Sequence, residues 1–327
     1  MRNLELENRI FNCNSSKDFN TLAIEIFQFQ YKNCSVYSQY VKALHINPDL
    51  ITHYSQIPFL PISFFKSHEV VSVSNETSTI FESSKTTGQI ASKHIVSHIE
   101  IYEESFLKNF ENVYSNPKDF VILALLPSYL ERENSSLAYM ASKLISLSEN
   151  SESGFYLSDF EKLFTTIERN KDKKILLLGV SFALLDFVEQ FSGNFPNIII
   201  METGGMKGRK KEMTRAEVHE ILQKSFSVSY IHSEYGMTEL LSQAYSKGNG
   251  IFETPQWMRV LIRDIYDPFT YISENKLGGI NIIDLANLYS CSFIETQDVG
   301  KIINTNNFTI EGRFDSSDIR GCNLMYQ

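Results

Sequence analysis

A chain of 327 residues is long enough for one large α/β domain or two smaller ones, and 43% hydrophobic residues provide a sizeable core. Its formal net charge of −9 argues against non-specific nucleic-acid binding and against adhesion to an anionic membrane, because both need clustered lysine and arginine. The charged N-terminus lacks an apolar signal core, and the longest apolar run, at 175–188, is too short to span a membrane. We therefore expect a soluble, cytoplasmic protein with no nucleic-acid partner and no membrane span.

Helical periodicity dominates residues 1–50, where "FNTLAIEIFQFQYKNCSVYSQYVKAL" repeats apolar side chains at helical spacing. A strand is predicted in "STIFESS", and the polar stretch "SSKTTGQ" at 83–89 follows it as a loop. Hydroxyls, a glycine backbone and an ammonium are groups that wrap a phosphate, although a solvated serine and threonine loop has the same composition. His94 and His98, four residues apart without a metal-binding carboxylate, are predicted to lie on a surface helix.

Helix and strand patterns alternate from residue 97 to residue 236. Short apolar runs such as "FVILALLP" and "NIIIMETGG" are typical of buried parallel strands, and amphipathic segments such as "TRAEVHEILQKSF" separate them. This pattern predicts an α/β fold with a largely parallel sheet. Short strands after residue 250 predict two domains: an α/β core with a helical N-terminal part over 1–250, and a small β-rich subdomain with a C-terminal arm over 251–327.

Three polar loops are predicted to follow strands, and ligands bind where parallel strands end on one side of an open sheet. They are "SSKTTGQ", "ETGGMKGRKK" at 202–211 and "SEYGMTE" at 233–239. Gly204 and Gly205 would let a ligand approach the backbone closely. Tyr235 would stack on a base, Thr238 would bind a phosphate, and Glu239 would be a ligand for Mg²⁺.

The order of these loops, followed by "TQDVGKI" and "GRFDSSDIR", resembles the motif series of adenylate-forming enzymes. More narrowly, "LLPSYLERENSSLAYM", "ETGGMKGRKKEMTR" and "DIRGCNLM" resemble the acyl-protein synthetases of bacterial bioluminescence systems, from about residue 60 to the end. The resemblance implies a ligase with an adenylate-forming core that uses ATP and Mg²⁺ to convert a long-chain fatty acid into an acyl-adenylate. It also implies transfer of the acyl group to a cysteine and then to an acyl-reductase partner.

Residue by residue, the resemblance implies a nucleotide site and a metal ligand. The nucleotide-binding residues would be Ser83, Ser84, Thr86, Thr87, Gly88, Gly204, Gly205, Tyr235, Gly236, Thr238, Asp298 and Arg313, with Glu239 at the magnesium position. Within this set Asp298 and Arg313 match the groups that hold the ribose.

Two features depart from the adenylate-forming pattern. Lys85 stands where that pattern often has glycine. The sequence given ends fourteen residues after Arg313, so we expect no small C-terminal lid domain with its catalytic lysine. Either Lys85 or Lys207 takes that role, adenylation is slower, or a partner helps.

Cysteine usage points to free thiols and to one acyl carrier. Cys13, Cys34, Cys291 and Cys322 are widely spaced, without the ligand spacing of a zinc site or the pattern of a disulfide framework. Cys322 lies beside Gly321 and Arg320, which favour a bend and a thiolate. Its position matches the acyl-carrying cysteine of the bioluminescence synthetases, so it is the predicted carrier.

Two other functions remain open from the sequence. "GVSFA" at 179–183 fits the nucleophile elbow of an α/β-hydrolase, with His219 or His232 downstream as base, although no oxyanion segment precedes Ser181. The third possibility is a non-catalytic nucleotide-binding subunit that regulates a reductase partner.

Overall fold

The computed structural model describes residues 2–73, 77–84, 90–127, 134–204 and 213–314. Its helices in chain order are α1 Leu4–Ile10, α2 Ser16–Asn33, α3 Ser35–Ala43, α4 Phe64–Ser67, α5 Ile99–Tyr114, α6 Ser136–Leu147, α7 Phe160–Arg169, α8 Ser181–Val188 and α9 Arg215–Phe226. Its strands are β1 Leu60–Pro61, β2 Thr79–Glu82, β3 Lys93–Val96, β4 Phe120–Leu125, β5 Gly154–Phe155, β6 Lys174–Val180, β7 Ile198–Thr203, β8 His232–Tyr235, β9 Ala244–Ser246, β10 Ile251–Glu253, β11 Met258–Arg263, β12 Gly278–Asp284, β13 Phe293–Asn304 and β14 Asn307–Arg313.

Ser74–Pro255 form one of two compact units, which we call unit 2. Its sheet runs in the order β5-β4-β6-β7-β8 with all neighbours parallel, and β9 and β10 continue it antiparallel. Every residue of β4 is buried, as expected for a parallel strand covered on both faces. The predicted α/β fold with a largely parallel sheet is confirmed here. β2 and β3 pair antiparallel in a separate two-stranded sheet.

Helix starts in unit 2 follow local sequence signals. The Ser135 side chain accepts a hydrogen bond from Ala138 N–H at the start of α6. Thr214 and Glu217 form a capping box at the start of α9, which satisfies two of its exposed backbone donors. These caps begin α6 and α9 where the sequence patterns predicted helices.

Unit 1 combines residues up to Val73 with those from Gln256 onward. Strands β11, β12, β13 and β14 form an antiparallel meander, and β1 pairs parallel with β13. The predicted division into two domains at residue 250 stays a prediction. The N-terminal helices, which we expected in the first domain, group instead with the C-terminal strands.

Buried polar contacts explain that grouping. Gln30 Nε2 of α2 donates to the carbonyl oxygens of Asn287 and Leu288, each at 3.0 Å, and Gln30 Oε1 accepts from Ser292 N–H. Tyr289 donates its hydroxyl to Glu7 at 2.6 Å. Local helical periodicity in residues 1–50 carries no information about these partners more than 250 positions away.

Candidate functional site

The predicted phosphate loop joins the antiparallel strands β2 and β3 rather than following a strand of the parallel sheet. At its base Ser83 N–H donates to the carbonyl oxygen of Ser92, and Ser92 N–H donates to Ser83 Oγ at 2.9 Å. Because the Ser83 hydroxyl accepts in that bond, it keeps its own proton for donation to a ligand. Ser84 is exposed at the mouth of the loop.

Several predicted site residues lie outside the described residues. They are Lys85, Thr86, Thr87 and Gly88 of the phosphate loop, Gly205 and Lys207 after β7, and Cys322 near the C-terminus. Their roles stay predictions.

The residues that follow β8, 236–243, form the second part of the candidate site, and we call them the post-β8 segment. Gly236 is exposed, Thr238 is half-buried and Glu239 is only 5% exposed. A Cβ at Gly236 would lie 2.5 Å from Glu234 Oε1, so only glycine fits here without displacing that carboxyl group. Tyr235, at the end of β8, is buried with its ring edge against Phe252 at 5.9 Å.

His94 links the two parts of the site. Its Nδ1 lies 2.8 Å from the carbonyl oxygen of Thr238, and because a carbonyl can only accept, Nδ1 carries the proton. His94 lies on β3, two residues beyond Ser92 at the base of the phosphate loop, and it is fully buried. The structure therefore brings β3, the strand that follows the predicted phosphate loop, beside Thr238.

That position corrects the predicted surface helix for His94 and His98. Residues 93–96 alternate between exposed or intermediate and buried side chains, as in a strand, and His98 is the N-cap of α5. The four-residue spacing reflects a strand followed at once by a helix.

A buried carboxylate organises the ends of β6, β7 and β8. Ser181 and Ser233 each donate a hydroxyl to Glu202 at 2.9 Å, and Arg215 Nε of α9 lies 3.2 Å from the same carboxylate. His219 Nε2 lies 3.5 Å away, where it attracts the carboxylate when the imidazole is charged. Burial raises the pKa of Glu202, but His219, Arg215 and Ser233 outweigh it and hold the pKa below its ordinary value.

Gly204 follows this carboxylate and turns the chain out of β7. Its φ of +66° lies in the left-handed region, which favours glycine, and its carbonyl oxygen accepts from Ser181 Oγ at 2.8 Å. The predicted glycine approach is thus tied to the Glu202 cluster.

Glu234 carries the second buried carboxyl group, on β8. Thr203 donates its hydroxyl to Glu234 Oε2. Burial raises the pKa of Glu234 to about 7; the hydrogen bond from Thr203 opposes the shift and the nearby Glu202 charge adds to it. Tyr102 and Tyr114 of α5 and Tyr245 of β9 also interact electrostatically with this carboxyl group.

Asp298 and Arg313, the predicted ribose pair, belong to unit 1. They are opposite each other on β13 and β14, with Arg313 Nε 3.9 Å from Asp298 Oδ1. Arg313 also donates to Gln297 Oε1 at 3.2 Å and is largely exposed. The structure therefore places the two predicted residues side by side.

The geometry of Ser181 does not support a hydrolase nucleophile. Its hydroxyl bonds to Glu202 and the Gly204 carbonyl oxygen, and the described residues place no histidine within hydrogen-bonding distance of it. Ser181 begins α8 and is absent from the positive-φ residues of the described chain, whereas a nucleophile elbow is a strained turn. Ser181 is a structural residue of the Glu202 cluster.

Sequence reasoning missed the residues that hold the site together: His94, Glu202, Arg215 and Glu234. Two of them carried a signal, because a charged residue ends the apolar run of "NIIIMET" and another sits inside the short strand "HSEY". A charge in a buried strand needs a partner and so marks a cluster.

Comparison with known proteins identifies the family. The sequence matches the family described as "Acyl-protein synthetase, LuxE" over residues 8–327. The chain belongs to this family. Among curated proteins, none matches the sequence significantly. Within the described residues, no helix is both long and apolar enough to cross a membrane.

Solved structures show the fold of adenylate-forming ligase cores. The open conformation of 2-hydroxyisobutyryl-CoA ligase with 2-HIB-AMP and CoA is similar at a TM-score of 0.68 and 10% identity, covering 92% of this chain and 71% of that chain. ATP-bound MatB from Rhodopseudomonas palustris is similar at a TM-score of 0.55 and 15% identity, covering 72% of this chain and 47% of that chain. FadD1, a long-chain-fatty-acid-CoA ligase from Archaeoglobus fulgidus, is similar at a TM-score of 0.52 and 15% identity, covering 72% of this chain and 51% of that chain. The chain thus spans about half the length of the first structures it matches.

Exchanging Glu234 for glutamine should change how stability depends on pH. The folded pKa of about 7 exceeds the ordinary 4.5, so the wild type loses stability as pH rises between these values. Glu234→Gln removes that loss, and relative to wild type it should gain up to roughly 3 kcal/mol between pH 5 and pH 8 in denaturant unfolding.

Glu202→Gln is the matched control on the neighbouring strand. Because the pKa of Glu202 lies below its ordinary value, Glu202 is ionised throughout that pH range, and the variant should lose similar stability at pH 5 and pH 8. If Glu234→Gln changes stability by the same amount at both pH values, the raised pKa of Glu234 is contradicted.

Ser181→Ala should lower stability without abolishing acyl activation. It removes the single hydroxyl proton that lies between the Glu202 carboxylate and the Gly204 carbonyl oxygen, a loss of about 1.5–3 kcal/mol for a bond to a charged group. Chemical unfolding and ATP–pyrophosphate exchange measure the two effects separately. An ATP-independent esterase activity in the wild type that disappears in the folded variant would instead support the hydrolase.

Proposed function

We propose that this protein activates a long-chain fatty acid with ATP and transfers the acyl group to its own cysteine. The carboxylate attacks the α-phosphorus of ATP, which forms the acyl-adenylate and releases pyrophosphate. The Cys322 thiolate then attacks the acyl carbon, a C–S bond forms, the bond to the phosphate oxygen breaks and AMP leaves. The thioester finally passes its acyl group to an acyl-reductase partner. Membership of the acyl-protein synthetase family supports this series of reactions.

The single structural observation that carries the proposal is the bond from His94 to the Thr238 carbonyl oxygen. It brings the base of a serine and threonine loop beside a segment with a hydroxyl and a carboxylate. Ser83 and Thr238 can each donate a hydroxyl to a phosphate oxygen. Fixed donors of this kind stabilise the charge that builds up on the phosphate during attack.

The described residues also fit a magnesium ion brought in by ATP. No group of three or more His, Cys, Asp or Glu side chains among them could hold a metal alone. Mg²⁺ at nucleotide sites is held by one or two carboxylates together with phosphate oxygens, and Glu239 supplies one such carboxylate. When bound, the ion would neutralise phosphate charge.

Other roles follow from the family resemblance and belong to the same proposal. Asp298 and Arg313 would hold the ribose, and Tyr235 would lie against the adenine. Gly204 and Gly205 would let the backbone approach the adenine or the acyl phosphate, and Lys85 or Lys207 would supply the positive charge of the catalytic lysine. ATP–pyrophosphate exchange across a panel of fatty acids tests the proposal as a whole. Exchange that needs a long-chain acid supports it, and ATP binding without exchange favours a regulatory nucleotide-binding subunit.

Glu239→Gln should lower acid-dependent pyrophosphate exchange at least roughly tenfold, or about 1.4 kcal/mol of transition-state stabilisation, because it removes a charged oxygen ligand of Mg²⁺. The circular dichroism spectrum should stay that of the wild type. Glu253→Gln, an exposed substitution on β10, is the control for the loss of one negative charge. Wild-type exchange in the Glu239 variant would remove Glu239 from the metal site.

Cys322→Ser should separate the two half-reactions. Acid-dependent pyrophosphate exchange should persist, whereas labelled fatty acid and ATP should no longer give a label that neutral hydroxylamine releases. Cys13, Cys34 and Cys291 are buried, and burial raises the pKa of each thiol, so none of them is a reactive thiolate. A hydroxylamine-sensitive label that persists in Cys322→Ser would show that the carrier is another residue.

A further inference from the structure

The post-β8 segment is held by side chains from distant parts of unit 2. Inside the segment, one backbone hydrogen bond joins Leu240 N–H to the Met237 carbonyl oxygen. His94 Nδ1 donates to the carbonyl oxygen of Thr238 at 2.8 Å, and Asn109 Nδ2 donates to that of Gln243 at 2.7 Å. The hydroxyls of Ser105 and Ser242 lie 3.0 Å apart. We call His94, Ser105 and Asn109 the three anchors.

Burial makes these bonds costly to lose. His94 and Ser105 are 0% exposed and Asn109 is 3% exposed, and Gln243, whose carbonyl oxygen accepts from Asn109, is 4% exposed, so that oxygen has little access to water if it loses its donor. The anchors come from two elements, β3 and α5, and hold the segment near both of its ends. Thr238 is itself one of the held residues, and Glu239 follows it directly, before the held residues Ser242 and Gln243.

We propose that the three anchors are positioning residues for nucleotide binding: they fix the backbone of the post-β8 segment so that the Thr238 hydroxyl and the Glu239 carboxylate are arranged before ATP arrives. The inference rests on the proposed function and extends it to residues that need not touch the nucleotide. A segment that must be ordered when its ligand binds weakens affinity, and pre-ordering removes that loss. His94 also connects the segment to β3, the strand that follows the phosphate loop.

Asn109→Ala is the main test, and Asn170→Ala is its matched control. Both asparagines belong to unit 2, are 3% exposed and donate Nδ2 to a carbonyl oxygen, but Asn170 bonds to Thr166 in α7. Asn109→Ala should speed hydrogen exchange of the amides of residues 236–243 about tenfold and weaken MgATP binding by a similar factor. Asn170→Ala should destabilise the protein with neither selective effect.

His94 offers a conservative rescue. His94→Leu removes the donor, and His94→Asn places an amide N–H close to the position of Nδ1. The leucine variant should raise the KM for ATP in pyrophosphate exchange with a smaller effect on the rate at saturating ATP, and the asparagine variant should restore most of the difference. If the leucine variant does not fold, the Asn109 comparison and His94→Asn still decide.

The inference is overturned if folded Asn109→Ala keeps the wild-type rate of amide hydrogen exchange in residues 236–243 and the wild-type affinity for MgATP. It is also overturned if amide hydrogen exchange becomes faster by the same factor throughout unit 2. Hydrogen exchange needs no turnover, so it tests the anchors separately from the proposed function. If the wild-type protein binds no ATP, the proposed function is wrong. If amide hydrogen exchange is unchanged in the variants, the positioning role of the three anchors is wrong.

Discussion

The arrangement of residues around β7 and β8 depends on the hydrogen bonds and the ion pair of the buried Glu202 carboxylate. A buried charge is costly unless it is paired and hydrogen-bonded, and here the ends of β6 and β8 and the first turns of α9 supply the partners. Each partner is thereby fixed relative to the others. The turn at Gly204 inherits this rigidity through Ser181, which bonds to both the carboxylate and the glycine carbonyl oxygen.

The strand register determines what each face of the sheet carries. Glu202 pairs with Ser233 and Thr203 pairs with Glu234 across β7 and β8, and successive side chains of a strand point to opposite faces. The charged carboxylate thus interacts with α8 and α9, whereas Glu234 lies among tyrosines of α5 and β9. The sheet therefore carries the Glu202 carboxylate, whose pKa is lowered, on one face and the Glu234 carboxyl group, whose pKa is raised, on the other.

The sequence predicted the regular elements of unit 2 because their signals are local. Apolar runs indicated β4 and β7, and the amphipathic pattern of "TRAEVHEILQKSF" indicated α9. The motif order predicts that the phosphate loop and Thr238 act together, and His94 joins Thr238 to β3, the strand that follows that loop. Local signals could not predict that contact, which joins residues 144 positions apart, or the bonds of Gln30, which group the N-terminal helices with the C-terminal strands. Pairings of this kind depend on which elements meet in space, and periodicity describes only one element at a time.

The discontinuity of unit 1 has a consequence for the order of folding. Unit 2 is one continuous stretch of chain, whereas α2 can satisfy its buried Gln30 only after the residues around Ser292 have been synthesised. Joining those two ends closes a loop that contains all of unit 2, and the entropic cost of closing a loop grows slowly with its length. During synthesis, α2 therefore lacks the partners of its buried face until the residues around Ser292 have been made. Apolar surface that is exposed in this way during folding is prone to aggregation.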